Sequence, residues 1–366
     1  MTFTTNIENF LNTLQKVERF TGKNLTLPTL SYILVEATGS SIKLRATNLQ
    51  LGIEFEVPAK IDGTASFAIE GSILVQALGN TKKEKEITGE FKDGVLHITT
   101  STSSIKLRTQ AYDDFPTLPT INDAKCFSID SKDLSHGIKS VAYSAAINDI
   151  KPEIASVYLY TDENNLVFVA TDSFRLAEKK IQLENSFEMK GIMIPVKNAI
   201  ELSNLCDFIG GKISLCVSDD LLSISSEYMY VTSRLVEGVF PDYRQILPTE
   251  FTTEAVVLSQ DLQDGMKSAI VFSDKQSQVD ISFKPKDKKM IITSENPDRG
   301  EIKTQIDASL TGDDLVARVN YKYVMEMFSG IDKDSIIIGG TEQQRPILIR
   351  PVGDQSFLYL IMPMNR

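Results

Sequence analysis

Apolar side chains recur along this chain in two rhythms, and the same order of rhythms comes round three times. The first pass opens with Ile7, Phe10, Leu11, Leu14 and Val17 at helical spacing. They form one apolar stripe, with Gln15, Lys16, Arg19 and Lys23 off it or beyond its end, so an amphipathic helix is predicted. Ser131-Lys132-Asp133-Leu134 opens a second such helix, carrying Leu134, Ile138, Val141 and Ala145. Ser259-Gln260-Asp261-Leu262 opens a third, carrying Leu262, Met266, Ala269 and Ile270. Ser131 and Ser259 read as N-caps. Asp133 and Asp261 fall in the first turn, where a carboxylate suits the helix dipole.

Period-two alternation follows each helix and predicts strands. It covers 41–46 and 51–57 in the first pass, 156–160 and 166–170 in the second, 279–283 and 290–293 in the third. The turns Asp162-Glu163-Asn164-Asn165 and Pro285-Lys286-Asp287-Lys288 separate the later pairs. A second helix is predicted in mid-pass at 72–79, 196–208 and 320–328. More alternating strands follow at 95–100, 105–110, 213–217, 222–226, 335–338, 346–350 and 357–361. Each pass is thus two helices and about eight short strands, an α+β unit whose helices cover one face of its sheet.

The passes close alike. The first ends Asp114-Phe115-Pro116-Thr117-Leu118-Pro119, the second Val239-Phe240-Pro241-Asp242-Tyr243-Arg244-Gln245-Ile246-Leu247-Pro248, the third Leu360-Ile361-Met362-Pro363-Met364-Asn365-Arg366. A period of roughly 125 residues is too long for a solenoid and fits a duplicated domain. With Pro, Thr, Asn, Asp and Glu clustered near 120–126 and 248–254, the domains are placed at 1–122, 123–250 and 251–366.

Composition narrows the class. The chain has 366 residues, 42% hydrophobic and 24% charged, an ordinary globular balance long enough for two or three cores. No apolar run approaches the roughly 20 residues that span a bilayer, and the first residues show no secretory signal. The three cysteines, Cys126, Cys206 and Cys216, form no CxxC pair, and buried thiols in a reducing cytosol are expected. A net charge of -11 argues, as a whole-chain sum, against wrapping nucleic acid, but it does not describe how charge is shared between faces.

No catalytic, metal or cofactor motif stands out. His97 sits in a strand pattern and His136 on the polar side of a helix, both read as packed or solvated. Gly210-Gly211-Lys212-Ile213 lacks the upstream glycine and the Ser/Thr of a P-loop and reads as a turn leading a strand. Lys82-Lys83-Glu84-Lys85-Glu86 reads as a solvated loop.

Two segments are more specific. Val169-Ala170-Thr171-Asp172-Ser173-Phe174-Arg175-Leu176-Ala177 follows a strand directly, and Phe240 to Pro248 closes the second pass. With the terminal Met362-Pro363-Met364, with Met1-Thr2-Phe3, Leu27-Pro28-Thr29-Leu30 and Glu295-Asn296-Pro297, and with the threefold repeat, the whole chain resembles the bacterial sliding clamps, the β subunits of DNA polymerase III. The resemblance implies three clamp domains per chain and two chains closed head to tail into a ring. Sheets would lie outside and helices would line the hole. Strands pair across the joints, which match Ile105 and Leu107 in the first domain against Ile270 and Val271 in the third.

The same resemblance implies a non-catalytic, cytoplasmic and nucleoid-associated processivity factor. Its partners would be duplex DNA, the polymerase III catalytic subunit, a clamp-loader ATPase, and other polymerases and repair proteins, with no membrane and no cofactor. A basic bore within an acidic chain is expected from Lys16, Arg19, Lys23, Lys132, Lys139, Lys197, Lys267, Lys275 and Lys322. A cleft for short linear peptides matches Ile154, Thr171, Ser173, Phe174, Arg175, Leu176, Pro241, Gln245, Ile246, Leu360, Ile361, Met362, Pro363 and Met364. Ile154, Leu176, Ile246, Leu360 and Met362 would seat apolar anchors, and Arg175 would orient the peptide. The chain departs from the family at three places. Asn24 stands where a basic residue is frequent, Ser173-Phe174 replaces Gly-His, and Asn365-Arg366 replaces a basic residue followed by an aliphatic one. Two readings from other classes predict different behaviour: a hydrolase of an extended polymer with an acidic pair in a groove, and a repeat-built scaffold.

Overall fold

The computed structural model describes residues 1–23, 26–79, 85–121, 125–273 and 275–364. Asn24, the Lys82-Lys83-Glu84 run, Asn365 and Arg366 lie outside the described residues, as do residues 122–124 at the first domain boundary.

Six α-helices fall where the apolar periodicity places them, among the described residues. They are α1 (Ile7–Glu18), α2 (Gly71–Gly79), α3 (Ser131–Val141), α4 (Val196–Ile209), α5 (Ser259–Ile270) and α6 (Tyr321–Glu326). The stripe of α1 is buried at Ile7, Phe10, Leu11, Leu14 and Val17. The three pass-opening helices begin alike. Each follows a strand without a loop, and its first N–H is taken by a carbonyl from a distant turn: Ile7 by Lys85, Ser131 by Gly211, Ser259 by Asp334. That recurrence is the triplication written in hydrogen bonds.

It also corrects the N-cap reading. Ser259 is the first helical residue, and its hydroxyl donates to the Lys333 carbonyl at 2.7 Å. Ser131 likewise lies inside the first turn of α3, and its hydroxyl is buried without a partner. Side-chain caps occur instead at Asn6 and Asn320, which accept from Asn9 N–H and Lys322 N–H.

The described chain forms two compact units, Met1–Ser131 with Asp207–Leu235, and Lys132–Cys206 with Val236–Arg366. In the first unit a five-stranded sheet runs Lys60–Asp62, Thr2–Asn6, Glu86–Lys92, Val95–Thr99, Ser104–Arg108. Phe3 stands opposite Gly89, where an added Cβ would lie 2.2 Å from its ring, so only glycine admits the aromatic. An eight-stranded sheet joins material from two passes, because Met229–Arg234 pairs antiparallel with Leu51–Pro58.

The second unit repeats the device. Its nine-stranded sheet runs Ile192–Pro195, Ser156–Asp162, Asn165–Thr171, Arg175–Gln182, Phe357–Ile361, Ile347–Pro351, Ser335–Gly340, Thr253–Leu258, Ser309–Gly312. Arg175–Gln182 of the second pass pairs with Phe357–Ile361 of the third. A four-stranded sheet, Gly300–Asp307, Lys289–Asn296, Gln278–Lys284, Leu315–Asn320, carries α5. Gly265 of α5 lets the helix sit close, since a Cβ there would lie 2.7 Å from Ile292 and 2.8 Å from Ile306.

The expectation of three buried thiols is overturned. Cys126 and Cys216 are direct partners in the antiparallel pair Lys125–Asp130 with Lys212–Val217, and a disulfide joins them across a Cα–Cα distance of 4.1 Å. Their sequence separation of 90 hides a contact that only strand register creates. Neither is buried; Cys206, in α4, alone is buried as a thiol. Thiol titration of the denatured, unreduced protein is therefore expected to find one reactive group, and three after reduction. Three before reduction would refute the disulfide.

Candidate functional site

The candidate cleft residues lie in the second unit, built around the turn between Asn165–Thr171 and Arg175–Gln182. Asp172 Oδ1 accepts from Phe174 N–H at 2.9 Å and Arg175 N–H at 3.0 Å. Thr171 Oγ1 donates to the Arg175 carbonyl at 2.7 Å and accepts from Ser173 N–H at 3.1 Å. These bonds hold Ser173 at φ 76°, the left-handed conformation that a glycine would adopt at less cost. Phe174 next to it is 60% exposed, on a backbone fixed at both ends, because its carbonyl also accepts from Met362 N–H at 2.8 Å. Met364 N–H donates to the Arg318 carbonyl at 2.8 Å, so the terminal segment is tied down on either side of Pro363.

Strand register sets Leu176 opposite Leu360 and Arg175 opposite Ile361. Leu176 and Leu360 join Val167, Val169, Met193, Phe240, Tyr243 and Leu348 in one buried cluster, with Met362 packed against it half-exposed. The 3-10 turn Tyr243–Ile246 carries the other wall. Pro241 and Gln245 are exposed, Gln245 Nε2 donates to Asp242 Oδ2 at 2.8 Å, and Ile246 is 47% exposed. Ile154 is half-buried in the turn before Ser156–Asp162 and is not part of that cluster.

Arg175 does not face outward as a peptide-orienting donor. Its side chain is 7% exposed, with Nε on Asp172 at 3.0 Å, Nη1 on Glu326 and Nη2 on the Tyr143 carbonyl. The Tyr323 ring lies 4.4 Å from the guanidinium carbon. Burial opposes this charge, but the hydrogen bond that Arg175 donates to Glu326, with the charges of Glu326 and Asp172, outweighs burial and raises the guanidinium pKa. Arg175 thus braces the turn from behind. Short-range sequence could have suggested the Asp172 partner; Glu326 and Tyr323 come from α6, far along the chain.

Sequence reasoning also missed Glu178 and Tyr160, which bond Tyr243, and Tyr158, which stacks on Phe240. Glu178 is 5% exposed and accepts from the Tyr243 hydroxyl. The signal lay in alternation: a charge two residues after Leu176 shares its face and must be paired.

The candidate DNA-contacting cations are placed individually. Arg19, Lys23, Lys132, Lys139, Lys197, Lys267, Lys275 and Lys322 are exposed, and Lys16 is half-buried with its ammonium 5.4 Å from the Phe208 ring centre. Lys197 pairs with Asp149 at 3.0 Å and Lys267 with Asp264 at 3.1 Å, exposed pairs that a phosphate could displace at small cost. Of the candidate joint residues, Ile105 and Leu107 are half-buried on Ser104–Arg108, the last strand of its sheet. Ile270 ends α5, and Val271 beyond it is 58% exposed. Gly300–Asp307, also an edge strand, lies beside α5 and was not read from sequence.

Family models for the DNA polymerase III beta subunit match the chain in order: the N-terminal domain over 1–119, the central domain over 128–242 and the C-terminal domain over 244–365. A beta sliding clamp of Buchnera aphidicola is 27% identical over the whole of both chains. One of Staphylococcus epidermidis is 24% identical over 100% of this chain and 99% of its own. Among solved structures, the DNA polymerase III beta subunit of Thermotoga maritima superposes with a TM-score of 0.94 at 23% identity, covering all of both chains. The Pseudomonas aeruginosa sliding clamp bound to griselimycin does so with 0.94 at 22%, again over all of both chains.

Truncating Arg175 leaves Asp172 and Glu326 facing each other without their cation. Arg175→Ala is expected to lower stability by about 3 kcal/mol in urea unfolding. A loss under about 0.5 kcal/mol, the scale of an ordinary surface change, would contradict the bracing role.

Proposed function

Because the chain belongs to the DNA polymerase III beta subunit family, the bacterial sliding clamps, we propose that it acts as a closed dimeric ring on duplex DNA and tethers proteins through the cleft around Leu176 and Leu360. The observation that carries this reading is the ordered run of three family domains along one chain. We place their boundaries at 1–122, 123–250 and 251–366. The role is non-catalytic and cytoplasmic: a partner bound at the cleft stays near DNA at high effective concentration and rebinds before it diffuses away. No helix among the described residues is long and apolar enough to cross a membrane.

The ring joint is assigned to two open sheet edges. Ser104–Arg108 of one copy would pair with Gly300–Asp307 of the second, leaving neither edge unpaired. Lys106 and Arg108 are exposed on the first strand and Glu301, Lys303 and Asp307 on the second, so a basic edge would meet one with more acidic than basic groups. Ile105 and Leu107 would pack near Ile270 and Val271. Phosphate contacts from the exposed lysines and arginines would be weak and independent of sequence, as sliding requires. Loading onto closed DNA falls to an ATPase partner, and the polymerase III catalytic subunit, other polymerases and repair proteins are the expected occupants of the cleft. The ligand of the Pseudomonas clamp, griselimycin, is proposed to bind this cleft too.

Deleting residues 362–366 removes the segment tied to Phe174 and Arg318. Stimulation of the organism's own polymerase is expected to fall roughly tenfold or more while light scattering still reports a dimer. Undiminished stimulation would sink the cleft assignment.

A further inference from the structure

We propose that a one-way hydrogen-bond relay, Arg244 to Tyr160 to Tyr243 to Glu178, positions the 3-10 turn Tyr243–Ile246 for ligand binding, which makes Tyr243 and Glu178 positioning residues of the cleft. The proposal rests on the cleft reading above.

The direction of the relay follows from what each group can do. Glu178 is a buried carboxylate and, when ionised, can only accept. The Tyr243 hydroxyl must therefore donate to it. The oxygen of Tyr243 is then left to accept, and the Tyr160 hydroxyl lies 2.8 Å away. Tyr160 in turn accepts from Arg244 Nη2 at 2.9 Å, and the same nitrogen reaches Asp162 at 3.1 Å. Every bond points from a cation at the rim toward a carboxylate in the core, an order in which each bond polarises the next. Burial, together with the Glu178 charge, raises the Tyr243 phenol pKa, which keeps it a donor at any working pH. Lys180 Nζ lies 3.6 Å from the other Glu178 oxygen.

The relay joins the turn Tyr243–Ile246 to the strand Arg175–Gln182. Glu178 lies two residues after Leu176 on the same strand and so shares its face. Tyr243 opens the turn that ends with Ile246 and carries Gln245. Their bond fixes the turn against the strand. The aromatic residue before it is fixed as well: Phe240 stacks on Tyr158 at 4.6 Å between centroids and meets Tyr243 edge-on at 6.4 Å. A ligand that docks against the turn then meets a preformed surface and loses little affinity to ordering it. Without the Tyr243–Glu178 bond, the turn would keep its apolar packing and the Arg244 bonds at the rim but lose its tie to the buried carboxylate.

Calorimetric titration of the full-length protein with griselimycin tests this, alongside melting temperatures. Tyr243→Phe and Glu178→Ala are each expected to weaken binding about tenfold, the scale of a lost hydrogen bond to a charged group. Glu178→Gln, which keeps an acceptor oxygen, is expected to stay within about threefold of the parent. Met362→Ala controls the cleft reading. If Met362→Ala weakens binding while Tyr243→Phe and Glu178→Ala bind like the parent, the cleft stands and the relay is overturned. A lower melting temperature with unchanged affinity in those two variants would also overturn it, assigning the relay to stability alone. If the parent does not bind, or Met362→Ala binds like the parent, the cleft assignment falls and this proposal with it.

Discussion

The candidate cleft depends on one strand pair, Arg175–Gln182 of the second pass against Phe357–Ile361 of the third. The pairing register puts Leu176 beside Leu360 and brings the terminal segment against the Phe174 turn. Had the register slipped by one residue, Leu176 and Leu360 would no longer stand opposite each other, and one of them would face the other side of the sheet. The first unit contains the equivalent pair, Leu51–Pro58 with Met229–Arg234. Backbone ladders therefore cross from one pass to the next, which is why a chain built from three homologous domains settles into two compact units.

The local elements were legible because their causes are local. The helical stripes of α1 and α5, that of α3 as far as Val141, and the alternation at 41–46 or 279–283 lie within a dozen residues and are found as helix or strand. Gly210 and Gly211, at φ 66° and 75°, form the expected turn into Lys212–Val217. What stayed hidden was set by long-range register. Cys126 meets Cys216 and Glu178 receives Tyr243 only when segments far apart within the second pass have come together, and Arg175 turns inward to Glu326 only when the second and third passes have docked. The serine caps failed for a related reason: a strand runs straight into the helix, and a distant carbonyl satisfies the N–H that a cap would have served.

The candidate site was legible in part. Leu176, Leu360 and Met362 gather in one cluster, because burial sorts them without regard to partners, while Ile154 and Ile246 lie outside it. Arg175 was expected to point at a ligand, but a guanidinium with two carboxylates and two aromatic rings within reach is more favourably held inside. On the candidate DNA-facing side, Lys197 and Lys267 spend their charge on Asp149 and Asp264. With a net charge of -11, residence on DNA is better supplied by closure of a ring than by attraction.

Closure is tested directly by topology. The protein is loaded onto nicked circular plasmid with its own clamp loader and ATP, isolated in high salt, and the plasmid is then cut once. The ring account predicts that the protein stays on the circle and is lost from the linear form. Equal retention on both forms, or none on the circle while an established clamp and loader pair is retained beside it, would contradict it.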